Sequence, residues 1–172
     1  VAPEVGVHAM PAAAPLHVDR RTGSAISVMA AGAGETIVVN TTNDVVDGDT
    51  SSIQALIAEP HLPANPNGEI SLREALIAVF NTGPGNTIRF DLPSGAVIVP
   101  ASTLYLDMAN TTIDGDVNGD GLPDVAINGP DNLVWLQIIT GGNVVRHLAL
   151  RSLGLAGAGA SGNLIANNYI GT

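Results

Sequence analysis

The chain has 172 residues and a mass of 17.4 kDa, room for one domain of about 100 to 150 residues and a tail. Aromatic residues make up only 3% of the chain, so its core must consist mainly of Val, Ile, Leu and Ala, which suits β-sheets. The net charge of −10 opposes nucleic-acid binding and favours divalent cations, and the lack of cysteine excludes disulfides and thiolate metal sites.

The first 34 residues have the composition of a linker or an extended arm. They are rich in Ala and Pro and lead into the glycine-rich stretch AAGAGE. The opening VAPEVGVHAMPAAAP is typical of a mature N-terminus left after removal of a leader, or of an artificial chain boundary. We therefore expect an extended arm over residues 1–34 and one domain over residues 35–172. No apolar run approaches the roughly 20 residues that span a bilayer, so we expect no transmembrane segment.

From residue 35 onward, short β-type runs are separated by Gly, Asn, Asp and Pro. Examples are TIVVNT, TIRFDL, AVIVP, TTIDGD, LVWLQIIT and NLIANNYIG. Several runs place a β-branched residue or Leu before Asn or Asp-Gly, which is typical of the tight corners in a parallel β-helix. We predict an all-β solenoid of this kind. Because no repeat of fixed period is clean, a β-sandwich remains the alternative.

One segment predicts a clear α-helix. Ser71 is the expected N-cap, and Glu74 three residues later completes a capping box. Apolar residues then recur at helical spacing: Leu72, Ala75, Leu76, Val79 and Phe80. Gly83 and Pro84 should end this helix, and a weaker helical turn is expected over residues 52–59.

The segment GEISLREALIAVFNTGPGNTIRFDLP, residues 68–93, resembles the signature of the CSLREA domain. The upstream TIVVNTTNDVVDGD and the downstream TTIDGDVNGDG are similar to that family's opening strand and its T-I-D-G strand. The tail SGNLIANNYIGT resembles coils of the right-handed parallel β-helix that such domains usually introduce. The likeness covers roughly residues 35–172. It departs from the family at Ile70, where the family usually has cysteine, so the loop 50–67 must be held by packing.

This resemblance implies the N-terminal cap and first coils of a secreted or surface-exposed bacterial β-helix. An amphipathic helix laid over the end of such a solenoid would block edge-to-edge association. Ser71, Arg73 and Glu74 are then expected to be capping and docking residues of this structural cap, without a catalytic role.

The acidic stretch DGDVNGDGLPD predicts a calcium site, since oxygen ligands at every second residue suit a hard cation. The expected ligands are the side chains of Asp116, Asn118 and Asp120, the backbone carbonyl of Leu122, and Asp124 at the ninth position. The stretch is not an EF-hand, because Ile127 stands where that loop needs a bidentate Glu. The alternative is a hydrated turn between two strands. A second acidic cluster, comprising Asn43, Asp44, Asp47 and Asp49, is irregularly spaced and is expected to be a solvated turn.

We predict no catalytic residue. Conceivable acids are Asp107, Asp114 and Asp131, and conceivable partners are Arg146, His147 and Arg151, but nothing in the sequence joins them. His147 is expected to be a surface histidine facing away from Arg146.

The sequence therefore favours a secreted or cell-surface structural or adhesive β-helix module with bound Ca²⁺. Its expected partners are a second copy, the remainder of a longer β-helix, or cell-surface glycans, and assembly through its ends is expected to give oligomers or filaments. The alternative is the N-terminal part of a calcium-dependent enzyme that binds or cleaves polysaccharides.

Overall fold

The computed structural model describes residues 34–58, 68–129 and 134–171. The expected N-terminal arm lies outside the described residues except for Gly34, and so does the second half of the loop 50–67. The part described here belongs to one compact unit spanning residues 33–172. Nowhere in the described ranges is there a helix with the length and hydrophobicity needed to cross a membrane.

The described residues contain two helices and many short strands. The helices are α1, Ile53–Ala58, and α2, Leu72–Thr82. The strands are β1 (Thr36–Val39), β2 (Thr87–Phe90), β3 (Ala96–Ile98), β4 (Leu104–Leu106), β5 (Thr112–Asp114), β6 (Val125–Ile127), β7 (Leu136–Ile138), β8 (Val144–Arg146), β9 (Leu148–Leu150), β10 (Leu153–Leu155), β11 (Leu164–Ala166) and β12 (Tyr169–Ile170). Both helices lie where the capping and periodicity signals predict them.

The strands form three parallel sheets. Sheet A has the order β1-β2-β5-β8-β11, sheet B the order β3-β6-β9-β12, and sheet C the order β4-β7-β10. From β2 onward the chain visits sheets A, B and C in strict rotation, and we call one such round a coil. The three parallel sheets and the small number of helices in the described residues confirm the predicted all-β, solenoid-like class. Parallel pairing disfavours a β-sandwich, whose sheets are antiparallel.

Residues at matching positions of successive coils stack on one another in register. The stacks are Ile88, Ile113, Val145 and Ile165 in sheet A; Ile98, Ile127, Leu150 and Ile170 in sheet B; and Leu106, Ile138 and Leu155 in sheet C. All members are buried except the last one in each sheet: Ile165 is partly buried, and Leu155 and Ile170 are half-exposed. Burial of each such side chain stabilises the fold by about 1.5–3 kcal/mol, so the stacks form the core.

Helix α2 packs against β1 and β4, the edge strands of sheets A and C. Its capping box is present, with Ser71 as N-cap, and the Gly83 amide ends it by donating to the Val79 carbonyl at 3.0 Å. The prediction that Phe80 shares the buried stripe is wrong, because Phe80 is 48% exposed. At about 100° per residue, Phe80 lies about 90° from the centre of the stripe formed by Leu72 and Val79.

Candidate metal centre and neighbouring contacts

The acidic loop, residues 115–124, joins β5 in sheet A to β6 in sheet B. It brings carboxylate oxygens of Asp116, Asp120 and Asp124 within 4.8 Å of one another. Calcium–oxygen distances are about 2.4 Å, so two oxygens on opposite sides of one ion are about 4.8 Å apart. The separation of these three predicted ligands therefore fits a single calcium ion. Asp116 and Asp120 keep free lone pairs, whereas four hydrogen bonds occupy both lone pairs of each Asp124 oxygen, so ligation by Asp124 would displace one of them.

Backbone amides of the loop hold two of these carboxylates in place. Asp116 accepts hydrogen bonds from the amides of Gly119 at 2.7 Å and Gly121 at 3.0 Å. Both glycines have positive φ, 83° and 77°, a conformation that glycine adopts without strain. Asp120 accepts from the Leu122 amide at 2.8 Å. Because each carboxylate oxygen has two lone pairs, these bonds leave room for a cation.

Asp124 is the buried member of the group. It accepts a hydrogen bond from the Ser94 hydroxyl and others from the amides of Val117 at 2.9 Å and Asn118 at 3.2 Å. The Ser94 bond, assisted by these amides against the effect of burial, holds the pKa of Asp124 below its ordinary value of 3.8. Asp124 therefore stays ionised.

Ser94 was not predicted from the sequence. Ser94 and Asp124 are distant in the sequence. They come into contact because strands β3 and β6 pair, with Ala96 opposite Val125.

The other two predicted ligands have different surroundings. The Asn118 side chain donates to Asp124 at 3.2 Å, while its oxygen accepts the Asp120 amide at 2.9 Å. Leu122 has an exposed side chain and could contribute only its backbone carbonyl. Ligation by Asn118 and Leu122 stays a prediction.

The next coil brings Asp114, Arg146 and His147 together at the corner between sheets A and B. Asp114 lies 2.9 Å from Arg146 Nη2 and 2.8 Å from His147 Nδ1. Because an ionised carboxylate only accepts, we assign the proton to Nδ1. His147 Nε2 then accepts from Asn167 of the following coil at 3.2 Å. The histidine thus links three successive coils.

The expectation of a surface histidine is wrong, because His147 is 8% exposed. Its φ of 56° interrupts strand alternation, which lets Arg146 and His147 both reach Asp114. Gly115 takes the matching position in the previous coil, where a Cβ would collide with the His147 carbonyl oxygen. The backbones approach so closely here that only glycine fits.

Asp114 is 6% exposed, and burial alone would raise its pKa. Hydrogen bonds from His147 and Arg146 outweigh burial, so the pKa of Asp114 lies below the ordinary 3.8. Of the other conceivable catalytic groups, Asp107 lies beside α2 and away from this corner. Asp131 lies outside the described residues. Asp114, Arg146 and His147 are therefore joined in one group, in which Asp114 and His147 are buried and the Arg146 side chain is 42% exposed.

The expected cap residues connect α2 to the segment that precedes it. The buried carboxylate of Glu74 accepts the amides of Ser71 at 2.8 Å, Asp47 at 3.0 Å and Gly48 at 2.8 Å. Ser71 Oγ donates to the Val45 carbonyl at 2.6 Å. These bonds hold residues 45–48 against the start of α2.

Arg73 continues the same set of contacts. It forms a bidentate pair with Asp44, both distances being 2.8 Å, and donates to the Ser102 carbonyl at 2.9 Å. The expectation of a solvated turn is therefore wrong for Asp44, whose side chain is 7% exposed. The irregular spacing of that cluster gave no indication of this ion pair, because its partner, Arg73, lies on α2.

No family model matches the chain, and no curated protein or solved structure is significantly similar to it. Function is therefore inferred from the contacts described above.

Proposed function

We propose that the chain is a structural or adhesive β-helix module of a secreted or cell-surface bacterial protein. In this proposal the three sheets close into a right-handed parallel β-helix, and α2 is a cap of the CSLREA type. The strict rotation through sheets A, B and C supports closure. The packing of α2 on the edge strands β1 and β4 supports the cap.

The observation that carries the proposal is the contrast between inner and last coils. Leu150 is fully buried, whereas its register partner Ile170 in the last coil is 52% exposed. In sheet C, buried Ile138 and its partner Leu155 on the last strand, β10, show the same contrast. An apolar face beside unpaired strand edges favours pairing with a further strand layer. The last coil therefore stacks against another coil, supplied by a second copy or by the remainder of a longer β-helix.

Asparagine side chains add polar contacts between successive coils to this apolar stacking. Asn143 accepts the Thr111 amide of the previous coil at 2.8 Å, and Asn163 accepts the Asn143 amide at 2.8 Å. In the last two coils an Asn side chain thus satisfies an amide of the coil before, whereas Thr111 at the matching position of the earlier coil donates to the Met108 carbonyl. A further coil with Asn at the position matching Asn163 would continue the ladder.

Ile170 and Tyr169 offer a matched test of stacking. They are neighbours in β12 with nearly equal exposure, 52% and 53%, but strand alternation points only Ile170 along the core stacks. We expect the 172-residue chain to associate with rising concentration in sedimentation velocity. Ile170→Lys should abolish association, because a buried unpaired charge is costly, whereas Tyr169→Lys should preserve it.

A second arm tests the longer β-helix. A copy of residues 152–171 placed after residue 171 keeps the 20-residue spacing between Val144 and Leu164. This added coil should raise the melting temperature, and Ile170→Lys should cancel the gain. A chain that stays monomeric and gains nothing from the added coil would show that the face does not stack.

Within the same proposal the acidic loop is a structural calcium site and the chain performs no catalysis. The alternative, a polysaccharide-binding or polysaccharide-cleaving enzyme, is tested by incubating the chain with acidic and neutral polysaccharides. Release of reducing ends or unsaturated products that is lost in Asp114→Asn would favour the enzyme.

A further inference from the structure

A concave site lies between helix α2 and strand β4, away from the acidic loop and from the last coil. We call it the helix–strand pocket; its volume is about 220 Å³. Arg73, Ile77 and Phe80 form its helical wall, since residues four and seven positions apart share one side of a helix. Tyr105 and Asp107 form its strand wall, being two residues apart and on the same face. Buried Leu76 and Leu104 form the floor.

The two aromatic side chains of this pocket are both half-exposed, as is Tyr169 on β12, but among the described aromatic residues only these two line a concave surface together. The sequence contains only two Phe, two Tyr and one Trp. Phe90 and Trp135 are buried in the core, whereas Phe80 is 48% and Tyr105 is 51% exposed. A concave apolar surface with a few polar groups at its rim is the usual form of a small-ligand site.

The polar groups at the rim have opposite charges. Arg73 has five N–H groups, and its hydrogen bonds to Asp44, Ser102 and Thr103 use four of them, the last at a long 3.4 Å. Asp107 is partly buried, and this burial raises its pKa. Within the described ranges, no other residue donates a hydrogen bond to its carboxylate. The pocket therefore offers both a donor and an acceptor.

We propose that the helix–strand pocket binds one neutral saccharide ring. The apolar C–H face of a pyranose packs on Phe80 and Tyr105, whose ring faces carry partial negative charge. Sugar hydroxyls both donate and accept, so one reaches Asp107 and another accepts from Arg73.

Charge and size favour a neutral ligand of one ring over other classes. An anion would meet Asp107 and a net charge of −10, and a purely apolar ligand would leave Asp107 without a partner. A cation would be attracted by Asp107 and would lie beside Arg73, whose charge is largely balanced by Asp44, so the cationic comparator below is the decisive alternative. The volume of 220 Å³ is below the roughly 300–1,000 Å³ of sites for larger ligands, which suits a single ring. This inference does not depend on coil stacking.

Saturation-transfer NMR on the full chain tests the proposal. The probes are methyl β-glucopyranoside, methyl β-galactopyranoside and N-acetylglucosamine, with tetramethylammonium and benzyl alcohol as cationic and apolar comparators. We expect at least one saccharide to bind with Kd of about 1 mM, as ordinary ligand efficiency gives for one ring. Tyr105→Ala and Asp107→Asn should each weaken binding about tenfold.

Tyr169→Ala is the matched control, because Tyr169 is also half-exposed but lies on β12. It should leave saccharide binding unchanged, and circular dichroism should show all three variants folded. The proposal is overturned if no saccharide binds at about 10 mM, well above the expected Kd. Preferential binding of a comparator, or equal binding by wild type and Tyr105→Ala, also overturns it. Association through Ile170 is measured separately, so the two proposals fail independently.

Discussion

The buried carboxylates of the described residues are held by different donors, either mainly by backbone amides or by side chains of a neighbouring coil. Glu74 accepts three amides at the start of α2, whereas Asp114 pairs with Arg146 and His147 of the next coil. A buried charge without such partners would cost several kcal/mol. Each of these acids therefore fixes the position of a neighbouring segment.

Removing the capping contacts should loosen the start of α2. Ser71→Ala loses the bond to the Glu74 amide and should cost about 1 kcal/mol. Glu74→Gln places an amide group beside backbone donors and should cost about 1–3 kcal/mol. Urea unfolding measures both, with Ser161→Ala, an exposed serine, as control. Equal costs for all three variants would contradict the capping role.

Asp114 should make stability depend on pH in acid. Its folded pKa lies below the unfolded 3.8, so the folded state binds this proton more weakly than the unfolded state. The resulting stability is present above pH 3.8 and is lost as pH falls through the folded pKa.

Asp114→Asn should therefore be less stable than wild type by about 1–3 kcal/mol near neutral pH, with the gap closing in acid. Denaturant unfolding at several pH values measures the gap. Asp91→Asn, at an exposed position, should change stability by less than about 0.5 kcal/mol near neutral pH. A gap for Asp114→Asn that stays constant with pH would rule out the proposed contribution.

At the scale of elements, local sequence patterns predicted most of what was found. The Ser71–Glu74 capping box spans three residues and was readable from the sequence. Contacts between residues distant in the sequence were not, because Asp44 and Arg73 are 29 residues apart and Asp114 and His147 are 33 apart.

The coils also differ in length, so the sequence shows no regular repeat. Thr87 pairs with Thr112, Thr112 with Val144, and Val144 with Leu164, which gives spacings of 25, 32 and 20 residues. No single period describes these coils. Without the register, the sequence could predict the strands but not which side chains meet.

Helix α2 should contribute strongly to stability through its buried side. Leu76 is almost fully buried, so Leu76→Ala should cost about 2–5 kcal/mol. Ile57 on α1 is exposed, and Ile57→Ala should cost less than about 0.5 kcal/mol. Chemical denaturation compares the two variants, and similar costs would show that α2 is not packed as a cap.

The acidic loop should respond to calcium by mass action on the folded state. At about a hundred times Kd, calcium should add about 2.7 kcal/mol, which is several degrees in melting temperature. Asp120 is exposed, so Asp120→Ala should abolish the response without unfolding the chain. Asp91→Ala, outside the loop, should preserve it. An unchanged wild-type melting temperature between millimolar calcium and chelator would refute the site.

For the whole molecule, the cost of losing a core side chain should fall towards the last coil. Ile113 and Ile165 belong to the same stack, but Ile113 is covered by coils on both sides, whereas Ile165 is only partly buried. Ile113→Ala should cost about 2–5 kcal/mol and Ile165→Ala less than half as much. Thermal and urea unfolding of both variants measure the difference. Equal costs would mean that another part of the chain covers the last coil.

The corner between sheets A and B shows how such a molecule can acquire new segments. This corner takes five residues between β2 and β3, ten between β5 and β6, one between β8 and β9, and two between β11 and β12. The paired strands keep their register across all these lengths. Hydrogen bonds between coils set the rise along the stack, so extra residues at the corner extend outward instead of displacing the next layer. The corner is therefore a natural insertion point, where a peptide epitope or a binding loop could be grafted with little disturbance of the core.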